Sequence, residues 1–156
     1  MKYLQCLLLM FILAGCTRIN DSKKEEKIEE VTMQCTQKDE EILLFAKEDE
    51  IQKFQNRFTV SFQEAGITED VDKDQVIDKL NDSLEEKYAK IKGVSTKAEL
   101  KEDCIEVIIM IDYIQADINQ LIEAGLIQKG EEESQYISLE KTIQAYKDMQ
   151  YACEVK

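Results

Sequence analysis

Residues 54–63 read FQNRFTVSFQ, and this stretch decides the fold. Phe54, Asn56, Phe58, Val60 and Phe62 alternate with Gln55, Arg57, Thr59, Ser61 and Gln63. Strand side chains point to opposite faces in turn, so a period of two predicts a long half-buried strand with one aromatic face inward. Upstream, residues 40–47 contain the apolar run ILLFA. Residues 31–36, VTMQCT, set Val31, Met33 and Cys35 against polar neighbours. Both read as strands. Strands this close in sequence are joined most simply as antiparallel hairpins.

The period changes at Asp72. Val76, Leu80, Leu84, Tyr88 and Ile91 recur at every third or fourth residue, the pattern of an amphipathic helix. Glu86 and Lys90 add an i,i+4 pair, and Gly93 follows as a natural stop. Residues 94–102 read as a polar strand near a sheet edge. Residues 105–111, IEVIIMI, are the most apolar internal run, rich in β-branched residues, and read as a central strand. Ile118, Leu121, Ile122 and Leu126 suggest a short helix ending near Gly125. Ser138 reads as an N-cap with Glu140 in the first turn, and Leu139, Ile143 and Tyr146 mark the face of a final helix. Residues 150–155 close as a strand. The predicted class is α+β, a mainly antiparallel sheet packed on one face by two or three helices.

Composition bounds the chemistry. At 156 residues one domain is expected, and a chain of this length buries enough surface for a core. Histidine is absent, which excludes Ser-His-Asp and Cys-His catalysis and imidazole metal ligands. With 33 acidic against 20 basic side chains the net charge is −13. That sign opposes nucleic-acid binding, and it opposes docking of the folded body on an anionic membrane.

The N-terminus reads MKYLQCLLLMFILAGC. Lys2 supplies the positive start. Residues 4–14 form an apolar run broken only by Gln5, shorter than the ~20 residues that cross a bilayer. Residues 1–15 therefore read as a cleaved leader. Leu13-Ala14-Gly15-Cys16 looks like the lipobox of bacterial lipoproteins. Small residues let the backbone enter a peptidase cleft, and the Cys16 thiol accepts a diacylglycerol as a thioether. After cleavage the new N-terminus can be acylated as well, and two or more chains anchor stably where one is marginal. The alternative is an ordinary secretory signal with an incidental cysteine. Residues 16–30 then form the lipidated cysteine and a charged tether too polar to bury, and residues 31–156 a single domain.

Cys35, Cys104 and Cys153 remain, in a compartment that permits disulfides. Cys35 lies in the first strand and Cys153 in the last. If those strands are neighbours, a bridge closes a loop long enough to constrain the unfolded chain by roughly 4–5 kcal/mol. The other reading is three buried thiols serving as small apolar fillers. Cys104 reads as a buried free thiol. No CxxC is present, and three scattered cysteines make a poor zinc site, so no metal or cofactor is expected.

Asp70, Asp72 and Asp74 echo the start of a calcium-binding loop. Gln75 stands where that loop needs glycine, and Asn81 where it needs a bidentate glutamate. They read instead as charging and capping the helix that follows. The run Glu131, Glu132 and Glu133 reads as a solvated loop. Tyr88, Tyr113, Tyr136, Tyr146 and Tyr151 fall in apolar patterns and read as core or rim.

Four stretches carry a resemblance: EDEIQKFQNRFTVSFQEAGITED at 48–70, LEEKYAKIKGV at 84–94, IEVIIMIDYIQADINQLIEAG at 105–125 and YISLEKTIQAYKDMQY at 136–151. With the lipobox and tether, in that order and spacing, they resemble the YehR-like lipoproteins, a bacterial family of unknown function. The resemblance implies a compact α+β domain behind a lipid anchor and supplies no catalytic residues. Such proteins often place glycine before the aromatic that opens the last strand, whereas Gln150 precedes Tyr151 here. That departure speaks against a tight left-handed exit from the last helix.

The function this reading leads to is a lipid-anchored, extracytoplasmic binding or interaction module of the bacterial cell envelope, without catalysis of its own. Its expected contacts are the membrane, through Cys16, and an unidentified protein; nucleic acid is not expected. The alternatives are an acidic inhibitor of a basic envelope hydrolase and an enzyme using clustered carboxylates.

Overall fold

The computed structural model describes residues 30–127 and 136–156. The leader at 1–15, Cys16, residues 17–29 of the tether and the run Glu131 to Glu133 lie outside them. Six strands and three helices follow in the order β1 (Glu30–Gln37), β2 (Glu40–Lys47), β3 (Glu50–Ser61), α1 (Lys73–Tyr88), β4 (Val94–Leu100), β5 (Cys104–Asp112), α2 (Ile118–Glu123), α3 (Leu139–Asp148) and β6 (Ala152–Val155). The strands form one sheet in the order β4-β5-β3-β2-β1-β6, and every pairing is antiparallel. Glu30, expected at the end of the tether, already belongs to β1.

The three N-terminal strands are successive hairpins, as their spacing predicts. Their two-residue turns use Lys38-Asp39 and Glu48-Asp49, with Lys38 at φ 49° and Glu48 at φ 56°. Register slips between Phe45 and Ala46, so that Phe45 faces Lys53 while Ala46 faces Ile51. This bulge re-phases β3. Ile51 and Phe54 differ in parity, yet both pack into the core.

All three helices cover one face of the sheet. α3 lies over β1 and β2, where Met33, Cys35, Ile42, Leu44, Ala46 and Ile51 meet Leu139, Ile143 and Tyr146. α2 and the end of α1 bring Leu121 and Tyr88 onto Ile111. The body of α1 sets Val76, Ile77 and Leu80 over Ala98, Ile105 and Val107. The fold is thus α+β with one covered and one uncovered sheet face.

Asp72 caps α1, accepting from the backbone N–H groups of Asp74 and Gln75 at 3.1 and 3.2 Å. β4 is an edge strand, as its polarity predicts, while β5 is interior but one place from that edge. Asn81 of α1 faces the edge. Its amide donates to the Ala98 carbonyl at 3.0 Å and accepts from the Ala98 N–H at 2.8 Å. The residue unsuited to a calcium loop therefore serves β4 as a substitute strand.

Gly93 differs from expectation. α1 ends at Tyr88 with Ala89 as its cap, and Gly93 sits farther on at φ 81°. A Cβ there would lie 2.6 Å from the Asp112 carbonyl oxygen and 3.0 Å from the Ala116 nitrogen. The glycine is needed for close approach to the end of β5, and the helix stops without it.

The exit of α3 also differs. Gln150 adopts φ 70°, the left-handed conformation that its side chain disfavours. The Gln150 N–H donates to the Lys147 carbonyl and the Tyr151 N–H to the Tyr146 carbonyl, each at 2.9 Å, which together form a Schellman motif. Its hydrophobic contact is the edge-on pair of Tyr146 and Tyr151, with centroids 5.1 Å apart. These contacts hold the glutamine where glycine would sit without strain. We expect Gln150→Gly to raise the unfolding free energy by about 0.5–1 kcal/mol, measured by urea denaturation.

Candidate functional site

Two polar assemblies stand out, one on each face of the sheet. The first lies on the covered face where the C-terminal segment returns. Cys35 faces Cys153 across β1 and β6, and their sulfurs are bonded, with Cα atoms 4.0 Å apart and a sequence separation of 118. Next to this bridge, Glu40 accepts from Asn56 Nδ2 at 2.6 Å and from the Tyr151 hydroxyl. Burial pushes the Tyr151 phenol up to about 12, helped by its bond to Glu40. Burial likewise takes Tyr146 to about 12, with Tyr151 and Glu40 adding to the shift. Both hydroxyls therefore stay protonated at neutral pH. With both Glu40 oxygens occupied, this cluster works as a clamp on the start of β6.

A second clamp acts at the head of α3. Ser138 caps the helix as its sequence predicts, accepting from the Lys141 N–H at 3.3 Å. Asp49, in the β2–β3 turn, accepts from the Ser138 hydroxyl and the Glu140 N–H, both at 2.8 Å. The Glu140 backbone bond, then the Ser138 hydroxyl, hold the Asp49 carboxyl below its usual range. Glu48, Asp49 and Glu140 line a shallow hollow here. The Asp49 carboxylate is committed to the helix.

A cavity of about 280 Å³ opens between α3 and the sheet, walled by Ile51, Phe54, Tyr113, Ile137, Ala145 and Tyr146. Lys141 and Thr142 supply its polar side chains, and no carboxylate is among the described residues lining it.

The uncovered face carries the second assembly, a ladder of ion pairs crossing the sheet. Lys97 pairs with Glu99, and Glu99 with Lys101 at 2.7 Å. Lys101 approaches Glu106 at 3.7 Å, and Glu106 approaches Arg57 at 3.9 Å. Arg57 reaches Glu41 at 3.4 Å, and Glu41 meets Lys156 at 3.6 Å. Every ion pair among the described residues belongs to this ladder. Hydrogen bonds from Lys101 and Lys97 lower the Glu99 carboxyl to about 2, and the bond to Glu99 raises Lys101. Exposed pairs like these add little stability one by one. Their effect is positional, since strand register fixes an alternating row of charges on a broad surface.

Of the remaining expected features, Cys104 is a half-buried free thiol, raised by burial and then by Asp103. Of the three aspartates Asp72 caps α1, Asp74 sits in its first turn and Asp70 accepts from the Thr68 hydroxyl, and no group of three metal-ligating side chains occurs among the described residues. Arg57, Glu41 and Glu106 leave no joint signal in the sequence, because only cross-strand register brings them together. Glu40 and Asn56 left a fainter signal. Both are polar residues on the inward parity of their strands.

The comparisons with known proteins fit this architecture. Residues 28–152 match the family described as a protein of unknown function, DUF1307. The fold is similar to that of the E. coli YehR protein solved by NMR, with TM-score 0.60 and 21% identity over 81% of this chain and 91% of that one. It is also similar to the NMR structure of a protein from Streptococcus pneumoniae TIGR4, with TM-score 0.50 and 11% identity over 84% of this chain and 87% of that one. At these identities the likeness shows the fold alone. No curated protein matches the chain. The resemblance to YehR-like proteins read from the sequence holds for family and fold.

The covalent bridge and the α3 clamp generate two expectations. Cys35→Ser with Cys153→Ser, or reduction of the unchanged protein, removes a long loop closure. We expect a loss of about 4 kcal/mol and a melting temperature lower by on the order of 10 °C, read by calorimetry. Asp49 has a lowered carboxyl in the folded state, so its contribution is present above the ordinary carboxylate range and vanishes as pH falls through the lowered value. Asp49→Asn should therefore melt earlier at neutral pH, and the gap from the unchanged protein should narrow as pH falls below the ordinary carboxylate range, read by calorimetry.

Proposed function

The chain belongs to DUF1307, a family of proteins of unknown function, and on that footing we propose that it is a lipid-anchored, extracytoplasmic interaction module of the bacterial cell envelope, with no catalysis of its own. The lipobox ending in Cys16 supports the anchor. The ion-pair ladder from Lys97 to Lys156 carries the interaction reading. A small ligand needs a concave site that buries most of its surface. This face is instead broad, with strands about 4.8 Å apart setting the spacing of its charges. A partner protein whose charges alternate in the opposite order would meet a row already in place, with little ordering left to do. Leu43 and Ile108, on the same outward parity, supply apolar contact beside it.

A second reading, an acidic inhibitor of a basic envelope hydrolase, is supported by the concentration of Glu64, Glu69, Asp70 and Asp72 between β3 and α1, with Asp74 in the first turn of α1. Complexes formed through that segment would weaken steeply with salt.

Both halves of the proposal can be tested in living cells. Cys16→Ser should lose lipid labelling and membrane retention; a labelled, membrane-retained variant would refute the anchor. A photoreactive residue at Thr59, opposite Glu106 of the ladder, should give one defined protein adduct that Arg57→Glu abolishes. The same probe at Lys79, on the outer side of α1, should not give it. Equal adducts from both positions would refute the assignment of the face.

A further inference from the structure

We infer that one pole of the domain, the end of the sheet bearing Phe45, Met110 and Ile114, rests against the lipid surface to which the chain is tethered. This deepens the function proposed above and rests on its anchor at Cys16. Strand register defines the pole: Glu30 lies opposite Lys47, Lys47 opposite Glu50, Lys53 opposite Asp112, and Ile111 opposite Val94. The described chain begins here, at Glu30. Phe45 is 37% exposed, Met110 46% and Ile114 67%. Ile114 and Phe45 share a hollow with Glu30 and Val31, and Phe45 and Met110 share another with Lys53. Tyr136, also exposed, belongs to this pole, because the Ile51 N–H donates to the carbonyl of Ile137 beside it.

Single exposed apolar residues are ordinary. Here four gather at the end where the chain leaves its tether, and none of them belongs to a described core cluster. Residues 17–29 are all that separates Cys16 from the first strand, and thirteen residues reach at most about 45 Å even when fully extended. An anchored domain cannot carry this pole far from the bilayer. Tyrosine and bulky apolar side chains also suit the headgroup boundary.

Net charge opposes docking of the body as a whole, but it is unevenly placed. Glu64, Glu69, Asp70, Asp72 and Asp74 follow Ser61 at the opposite pole, and Glu102 and Asp103 join them in the β4–β5 turn. At the near pole Lys47, Lys53, Lys90, Lys92 and Lys141 offset only part of the charge of Glu30, Glu48, Asp49, Glu50, Asp112, Asp117 and Glu140. An anionic leaflet repels the acidic pole and so turns the apolar one towards itself.

The chain contains no tryptophan, so a single substitution makes a sole reporter. The full lipidated protein carrying Ile114→Trp would be reconstituted in phosphatidylethanolamine–phosphatidylglycerol vesicles with plain or brominated acyl chains. Its emission should fall to about half or less with bromine, because the ring would lie ~5–10 Å into the boundary region. Met149→Trp, exposed at the opposite pole where Gln37 donates to the Met149 carbonyl, should change little. Protein that floats with the vesicles while the reporter at 114 stays unquenched would overturn the docking and leave the anchor standing. Equal quenching at both positions would also overturn it, since the domain would have no fixed orientation. Failure to float with the vesicles would overturn the anchor and the docking together.

Discussion

The register of β1 is the constraint on which the domain depends. On one side it pairs with β2 through a short hairpin; on the other it pairs with β6, the last strand described. The second pairing joins residues far apart in sequence, so its loop-closure cost is high and four residues of strand do little to offset it. The Cys35–Cys153 bond makes that pairing covalent. With β6 fixed, Tyr151 stays against Glu40, Tyr146 stays against Tyr151, and α3 lies over the first core cluster. Asp49 holds the other end of the same helix. α3 is thus clamped at its head by a turn and at its tail by a strand, though it contributes no fully buried residue of its own.

Much of this was legible in the sequence. Period two along 54–62, the helical period after Asp72 and the apolar run at 105–111 gave the strands, the first helix and the α+β class, because each pattern reflects one-sided burial of a local segment. Residues 50–53 were harder to read. The bulge beside Phe45 shifts parity, and a strict alternation puts Ile51 on the wrong face. Gly93 has a role set by Asp112, distant in sequence, and local pattern alone shows only a glycine after a helix. At Gln150 the expectation failed for a related reason. Glycine is the usual residue for a left-handed exit, yet the hydrogen bonds to Tyr146 and Lys147 and the aromatic contact secure the conformation without it.

The polar assemblies were less legible than the fold. Ser138 and Asp72 act on neighbours a few residues away, and both could be read directly. The ladder through Glu106, Arg57 and Glu41 depends on three strands whose mutual register no local pattern encodes. Sequence parity places those side chains on the outer face, but not beside one another. The proximity of Cys35 and Cys153 could only be posed as a condition on strand order. That condition is a topological fact about β1 and β6.

The bond pair between Asn81 and Ala98 bears on how these molecules behave in a crowd. An exposed strand is a template on which neighbours can polymerise. A strand arriving at β4 must first displace two formed hydrogen bonds, so the nucleation of an intermolecular ribbon on that side is suppressed. Deamidation of this one side chain would replace the donor facing the Ala98 carbonyl with an oxygen. Slow chemical ageing at a single helical site would then unmask the template, and the long-term dispersal of the protein is tied to the survival of one amide.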